Sequence, residues 1–118
     1  MGTAFYAGTR TVFAQDLDRY DVGIAVNADY ERAVRDAIEL VGGIRRFVRP
    51  GDTVVVKPNI AFNSTPEYRA NTHPLVVRTV VHLCFEAMAS RVYVFDRTIS
   101  NPQLSYRNSG IEAAARDA

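Results

Sequence analysis

The run Thr53-Val54-Val55-Val56-Lys57-Pro58 constrains the fold more than any other stretch of the 118 residues. Three consecutive valines do not alternate with polar residues, so the strand they form is expected to be covered on both faces, as in a parallel sheet with helices on each side. Proline cannot donate to a ladder, and Pro58 therefore ends the strand. Arg49-Pro50-Gly51-Asp52 reads as the turn that leads in. Val92-Tyr93-Val94-Phe95-Asp96 is a second strand of the same kind. Val22-Gly23-Ile24-Ala25-Val26, short and rich in β-branched residues, suggests a third, buried strand despite its glycine.

Helical periods separate these runs. From Tyr30 the residues Ala33, Val34, Ala37, Ile38 and Val41 recur at three- and four-residue steps, with Asn27 or Asp29 able to cap the start. The opposite face carries Glu31, Arg35 and Glu39 at i,i+4 spacing, alongside Arg32 and Asp36, a solvated surface. Gly42-Gly43 supplies a left-handed C-terminal cap, and Ile44 can fold back on the last turn. A second helix is predicted from Pro74, capped by Thr72 or His73, because proline suits a first helical turn. Its polar stripe, Arg78, His82 and Glu86, is narrow, so the helix is expected to be deeply packed, with Cys84 a core residue and His82 a surface one. Ile60 to Thr72 and Thr98 to Asn108 read as irregular connections. Ser109 and Glu112 form a capping box for a last helix that reaches the chain end within two turns, which suggests a truncated or incomplete domain.

Strand, helix, strand, helix, strand is the order of a parallel sheet with right-handed crossovers. The expectation is one α/β domain over residues 1–118: an N-terminal extension to Tyr20, with a possible short strand around Thr11 to Ala14, and a core over 21–118. In it, three layers enclose a mainly parallel sheet of at least three strands joined by crossover helices. A net charge of +1 gives no electrostatic reason to expect nucleic acid or an anionic membrane as partner. A single cysteine, Cys84, excludes an internal disulfide and a thiolate cluster. No apolar run has the length of a membrane span, so the chain reads as soluble, with the cytoplasm as the expected location.

Parallel strands bring Asn27, Lys57 with Asn59, and Asp96 with Arg97 to one edge, the carboxyl end of the sheet, outside which ligands of open α/β sheets bind. The long loop with Glu67, Asn71 and His73 leaves from the same edge, and a connection of that length is more often functional or mobile than not. Lys57 offers a cation, Asn59 and Asn71 amide donors and acceptors, Arg97 a bidentate guanidinium, and the helix N-terminus at Pro74 partial positive charge. His73 and Asp96 are the candidates for proton handling. Such a set suits a carboxylate or a phosphate. The plain alternative is that Lys57 and Asp96 merely pair with each other and that His73 only caps its helix. There is no Gly-x-Gly-x-x-Gly after a strand, no P-loop, no Gly-x-Ser-x-Gly elbow and no His-Glu-x-x-His.

The run from Ala37 to Gly43, then Val48 to Asn59 with its Pro-Gly-Asp turn and Lys57-Pro58-Asn59, then Asn71-Thr72-His73-Pro74, and finally Arg91 to Arg97 resembles the domain-of-unknown-function 362 family. The resemblance implies that Lys57, Asn59, Asn71, His73 and Asp96 belong to the family pattern, without assigning them roles. Many members carry ferredoxin-type iron–sulfur modules; the ligand cysteines are missing here, so no cofactor is expected in this chain. Where the family commonly reads Glu-Ala-Gly-Ala, this chain has Glu86-Ala87-Met88-Ala89. Methionine is strained in a left-handed cap, so the helix is expected to end differently or Met88 to pack inward. Together these readings lead to a domain that binds a small anionic ligand at the carboxyl edge, as part of a larger, redox-linked enzyme. The alternative is a non-catalytic interaction or scaffold module, meeting a partner domain or a second copy of itself.

Overall fold

The computed structural model describes residues 22–118. The strand expected around Thr11 to Ala14 lies outside them. Within them α1 (Tyr30–Leu40), β1 (Thr53–Val56), α2 (Pro74–Glu86), β2 (Arg91–Val94), α3 (Pro102–Asn108) and α4 (Ile111–Arg116) follow one another, with short 3₁₀ turns at Ile44–Arg46 and Pro66–Tyr68. β1 and β2 pair in parallel, with Thr53 opposite Arg91 and Val56 opposite Val94. As expected from the sequence, the two parallel strands are joined through α2.

Both helix ends follow from local chemistry. Asp29 caps α1 by accepting the amide hydrogens of Glu31 and Arg32, and Asn27 steadies the cap by accepting from the Asp29 amide. At the far end the Gly43 amide reaches back to the Ile38 carbonyl and the Gly42 amide to that of Glu39, with both glycines at positive φ. This is the six-to-one, five-to-two pattern of a Schellman cap. α2 ends in the same way: the Ala89 amide bonds the Cys84 carbonyl and the Met88 amide that of Phe85. Met88 sits where glycine would, at φ 67°, and is 55% exposed. The expectation of a different helix end or an inward-packed methionine is therefore corrected. The cap forms with methionine in the strained conformation.

The core lies on one side of the sheet. Val54, Val56, Val92 and Val94 turn toward α2 and α4, where two clusters form, one around Val48, Cys84, Ala87 and Ala89, the other around Ile60, Val77, Val81 and Ile111. Cys84 is buried, which pushes its thiol pKa up. α1 packs on α2, and Arg35 ties the pair by donating two hydrogen bonds to the Glu86 carboxylate at 2.9 and 2.7 Å and a third to Glu31 at 3.1 Å.

Four further expectations differ from what the described residues show. The described residues leave the outer face of the sheet uncovered: Val55, Tyr93 and Phe95 are about half exposed, at 54%, 49% and 53%. Among the described residues the sheet is an open, parallel pair of strands with helices on one face only. Second, Val22 to Val26 belongs to neither strand. Gly23 instead lies against α1, where a Cβ would stand 2.3 Å from the Ala37 carbonyl oxygen; the missing side chain serves close approach to a helix rather than a place in a ladder. Third, the connection from Thr98 contains α3. Asn101 caps it by accepting the Leu104 amide at 3.1 Å, and Pro102 occupies its first turn. The predicted capping box does not close: Gly110, at φ 74°, is the N-cap of α4, and Glu112 pairs with Arg116 at 2.7 Å instead.

Candidate functional site

The centre of the candidate site is the end of β1 and the end of β2. Lys57 Nζ lies 2.6 Å from Asp96 Oδ1, so the parallel register does bring these two predicted residues together. Their exposures differ sharply: the Asp96 side chain is 7% exposed and that of Lys57 69%. Asp96 Oδ2 accepts the Ile60 amide at 2.8 Å. That bond, and then the Lys57 ammonium, hold the Asp96 carboxyl below the usual carboxylate range. Its backbone is fixed as well. The Asp96 amide donates to the Tyr106 hydroxyl at 2.8 Å, and the hydroxyl donates to the Asp96 carbonyl at 2.9 Å.

The loop between β1 and α2 is closed on itself by side chains. The Asn59 amide hydrogen bonds Thr72 Oγ1 at 2.9 Å, the Thr72 amide bonds the Asn59 carbonyl at 2.9 Å, and Asn59 Nδ2 donates to the Ala70 carbonyl at 3.1 Å. Asn71 grips the loop's first half, accepting the Phe62 amide at 3.0 Å and donating to the Phe62 carbonyl at 2.8 Å. Thus both predicted asparagines sit at the carboxyl edge, with their amides engaged in shaping the loop that follows Lys57.

His73 is the N-cap of α2: Nδ1 accepts the Leu75 amide at 3.3 Å, and its ring stacks on Tyr30, centroids 4.0 Å apart and planes within 6°. Tyr30 opens α1, so the stack brings the starts of α1 and α2 together. Glu67 lies near enough for His73 to contribute to holding its carboxyl down, after a hydrogen bond from Thr65 and its own backbone amide. The Arg97 guanidinium makes no hydrogen bond or ion pair with the described residues. No group of three or more His, Cys, Asp or Glu side chains suited to a metal occurs among the described residues.

Sequence reasoning missed Tyr106, Thr72, Ile60 and Tyr30. Only Tyr106 had a usable signal, since recognising Asn101-Pro102 as a helix start would have placed it on a helix facing the end of β2. The other contacts run through backbone amides or a ring face, which no residue spacing announces.

Chemically, this is an open α/β unit whose polar carboxyl edge presents an ammonium pinned by a sheltered carboxylate beside a helix N-terminus. The chain belongs to the family described as Domain of unknown function (DUF362), which it matches over residues 54–118, more than half its length. It is also similar to a thylakoid-associated protein of Synechocystis sp., 40% identical over 55 residues, or 47% of this chain and 17% of that protein. The matched part is therefore under a fifth of the relative's length. No solved structure matches the chain. No helix among the described residues is long and apolar enough to cross a membrane.

Proposed function

We propose that this domain binds a small anionic ligand at the carboxyl edge of its sheet, as one part of a longer, redox-linked protein. The observation that carries the reading is the asymmetric Lys57–Asp96 pair. A carboxylate anchored by the Ile60 amide holds the ammonium in one place, while the Lys57 side chain is mostly exposed and its ammonium has donors beyond that one bond. Lys57 would take the anion's charge, Arg97 would add a second cation, and the start of α2 would add its dipole. Asn59 and Asn71 would orient the ligand chiefly by shaping the loop. Where chemistry occurs, His73 and Asp96 are the groups for a proton. The greater length of the thylakoid-associated relative supports a multi-part protein; the redox link rests on the family resemblance, and the cytoplasm is the proposed location.

A thermal-shift screen against small carboxylates, phosphates, nucleotides and divalent metals tests the reading. A ligand at 100 times its dissociation constant stabilises by about 2.7 kcal/mol. A hit that disappears in Lys57→Ala supports the site; a hit that survives it places the ligand elsewhere. The second reading, a scaffold or interaction module, is favoured by the bare outer face of the sheet. Assembly that depends on concentration and ignores every ligand would support it.

A further inference from the structure

The outer face of the sheet has a composition of its own. β1 presents Thr53 and Val55 there, with Lys57 following; β2 presents Arg91 and Tyr93, and the alternation continues through Phe95 to Arg97. The Phe95 amide still bonds the Val56 carbonyl, so the register extends that far. The face is therefore an apolar strip of Val55, Tyr93 and Phe95 with Arg91 at one end and Lys57 and Arg97 at the other. None of its alternating positions carries a carboxylate.

We infer that this face is the docking surface for an amphipathic α-helix with acidic ends, supplied by a partner polypeptide. The footprint fits: two strands give a strip roughly 10 Å wide, about the diameter of a helix. Arg91 and Arg97 are six residues apart, roughly 20 Å along a strand, which a helix of about 13 residues spans. Carboxylates at its ends meet the cations, and its apolar stripe covers Tyr93 and Phe95. A second copy of this chain fits poorly. Stacking two such faces would set Lys57, Arg91 and Arg97 against one another. The inference shares Lys57 and Arg97 with the proposed ligand site, whereas Arg91, Val55, Tyr93 and Phe95 belong to this face alone, so variants at Arg91 and Tyr93 test it separately from Lys57→Ala.

Two labelled 13-residue helical peptides test it by fluorescence anisotropy. Both carry a leucine stripe; one has glutamates at its ends and the other lysines. The glutamate peptide is expected to bind at least about tenfold more tightly, since each exposed pair contributes up to about fivefold. Tyr93→Ser should abolish binding while circular dichroism shows the fold retained. If that variant unfolds, the exposed Arg91→Glu decides instead, weakening the glutamate peptide and strengthening the lysine one. Equal binding of both peptides, binding of neither, self-association without peptide, or a preference for phosphatidylglycerol vesicles over both peptides would each overturn the inference.

Discussion

Lys57 and Asp96 close the carboxyl end of the sheet from opposite conditions of solvation, the lysine mostly in water and the aspartate almost out of it, 2.6 Å apart. The Asp96 carboxylate serves the Lys57 ammonium and the Ile60 amide, while the residue's main chain exchanges hydrogen bonds with the Tyr106 hydroxyl. The lysine serves one. Asp96→Ala is accordingly expected to lower the melting temperature by several degrees, because it strands the Ile60 amide, whereas Lys57→Ala should shift it little. Paired thermal melts check this; equal losses would show that the ion pair itself, and not the anchored carboxylate, holds the strand ends.

The acid limb of the stability curve should carry the same signature. The Asp96 pKa is depressed in the fold, first by the Ile60 amide and then by Lys57. Its contribution is thus fully present above the ordinary carboxylate range and is lost as pH falls through the depressed folded value. Asp96→Asn should flatten the loss of stability on acidification. Urea melts across the acid range would read it, and an unchanged slope would contradict the assignment.

Met88 predicts a gain. Its left-handed φ of 67° costs a residue with a side chain about 1 kcal/mol relative to glycine, and its exposed side chain contributes little packing. Met88→Gly should stabilise by roughly that amount, while Gly42→Ala, at φ 101° in the equivalent cap of α1, should destabilise. Chemical denaturation of both variants measures the pair of opposite signs.

Asn71 predicts a loosened loop. Its side chain clamps both backbone groups of Phe62, and Asn71→Ala should cost about 1 kcal/mol, with water taking over the freed groups. Limited proteolysis between Phe62 and Arg69 should quicken more than global unfolding does. Uniform quickening would mean that the clamp belongs to the core rather than to the loop.

Much of this fold was legible because period and pairing are local to sequence. The valines of β1, the three-and-four spacing of α1 and the Pro74 start of α2 each state a structure, and parallel topology then places Lys57 beside Asp96. What escaped is tertiary. Gly23 looks like a weakness in a strand until Ala37 is known to lie against it. Asn101-Pro102 writes a loop and a helix start with the same letters, so α3 stayed hidden, and Tyr106 with it. A triple valine promises two covered faces, yet Val55 is half exposed here, because covering it takes a layer that the described residues do not provide. Asn59 and Asn71 were legible as polar residues at the edge, but their loop-closing bonds depend on a backbone path that no spacing encodes.

The stack of Tyr30 on His73 also furnishes an instrument. The His73 imidazole, 4.0 Å from the Tyr30 ring centre and nearly parallel to it, lies within the shielding cone of the tyrosine, so the carbon-bound protons of His73 should resonate well upfield of those of His82. The two histidines of the chain would then be told apart in a one-dimensional proton spectrum without assignment. Any event at the carboxyl edge that slides the start of α1 past the start of α2 would be read as a movement of one resolved line.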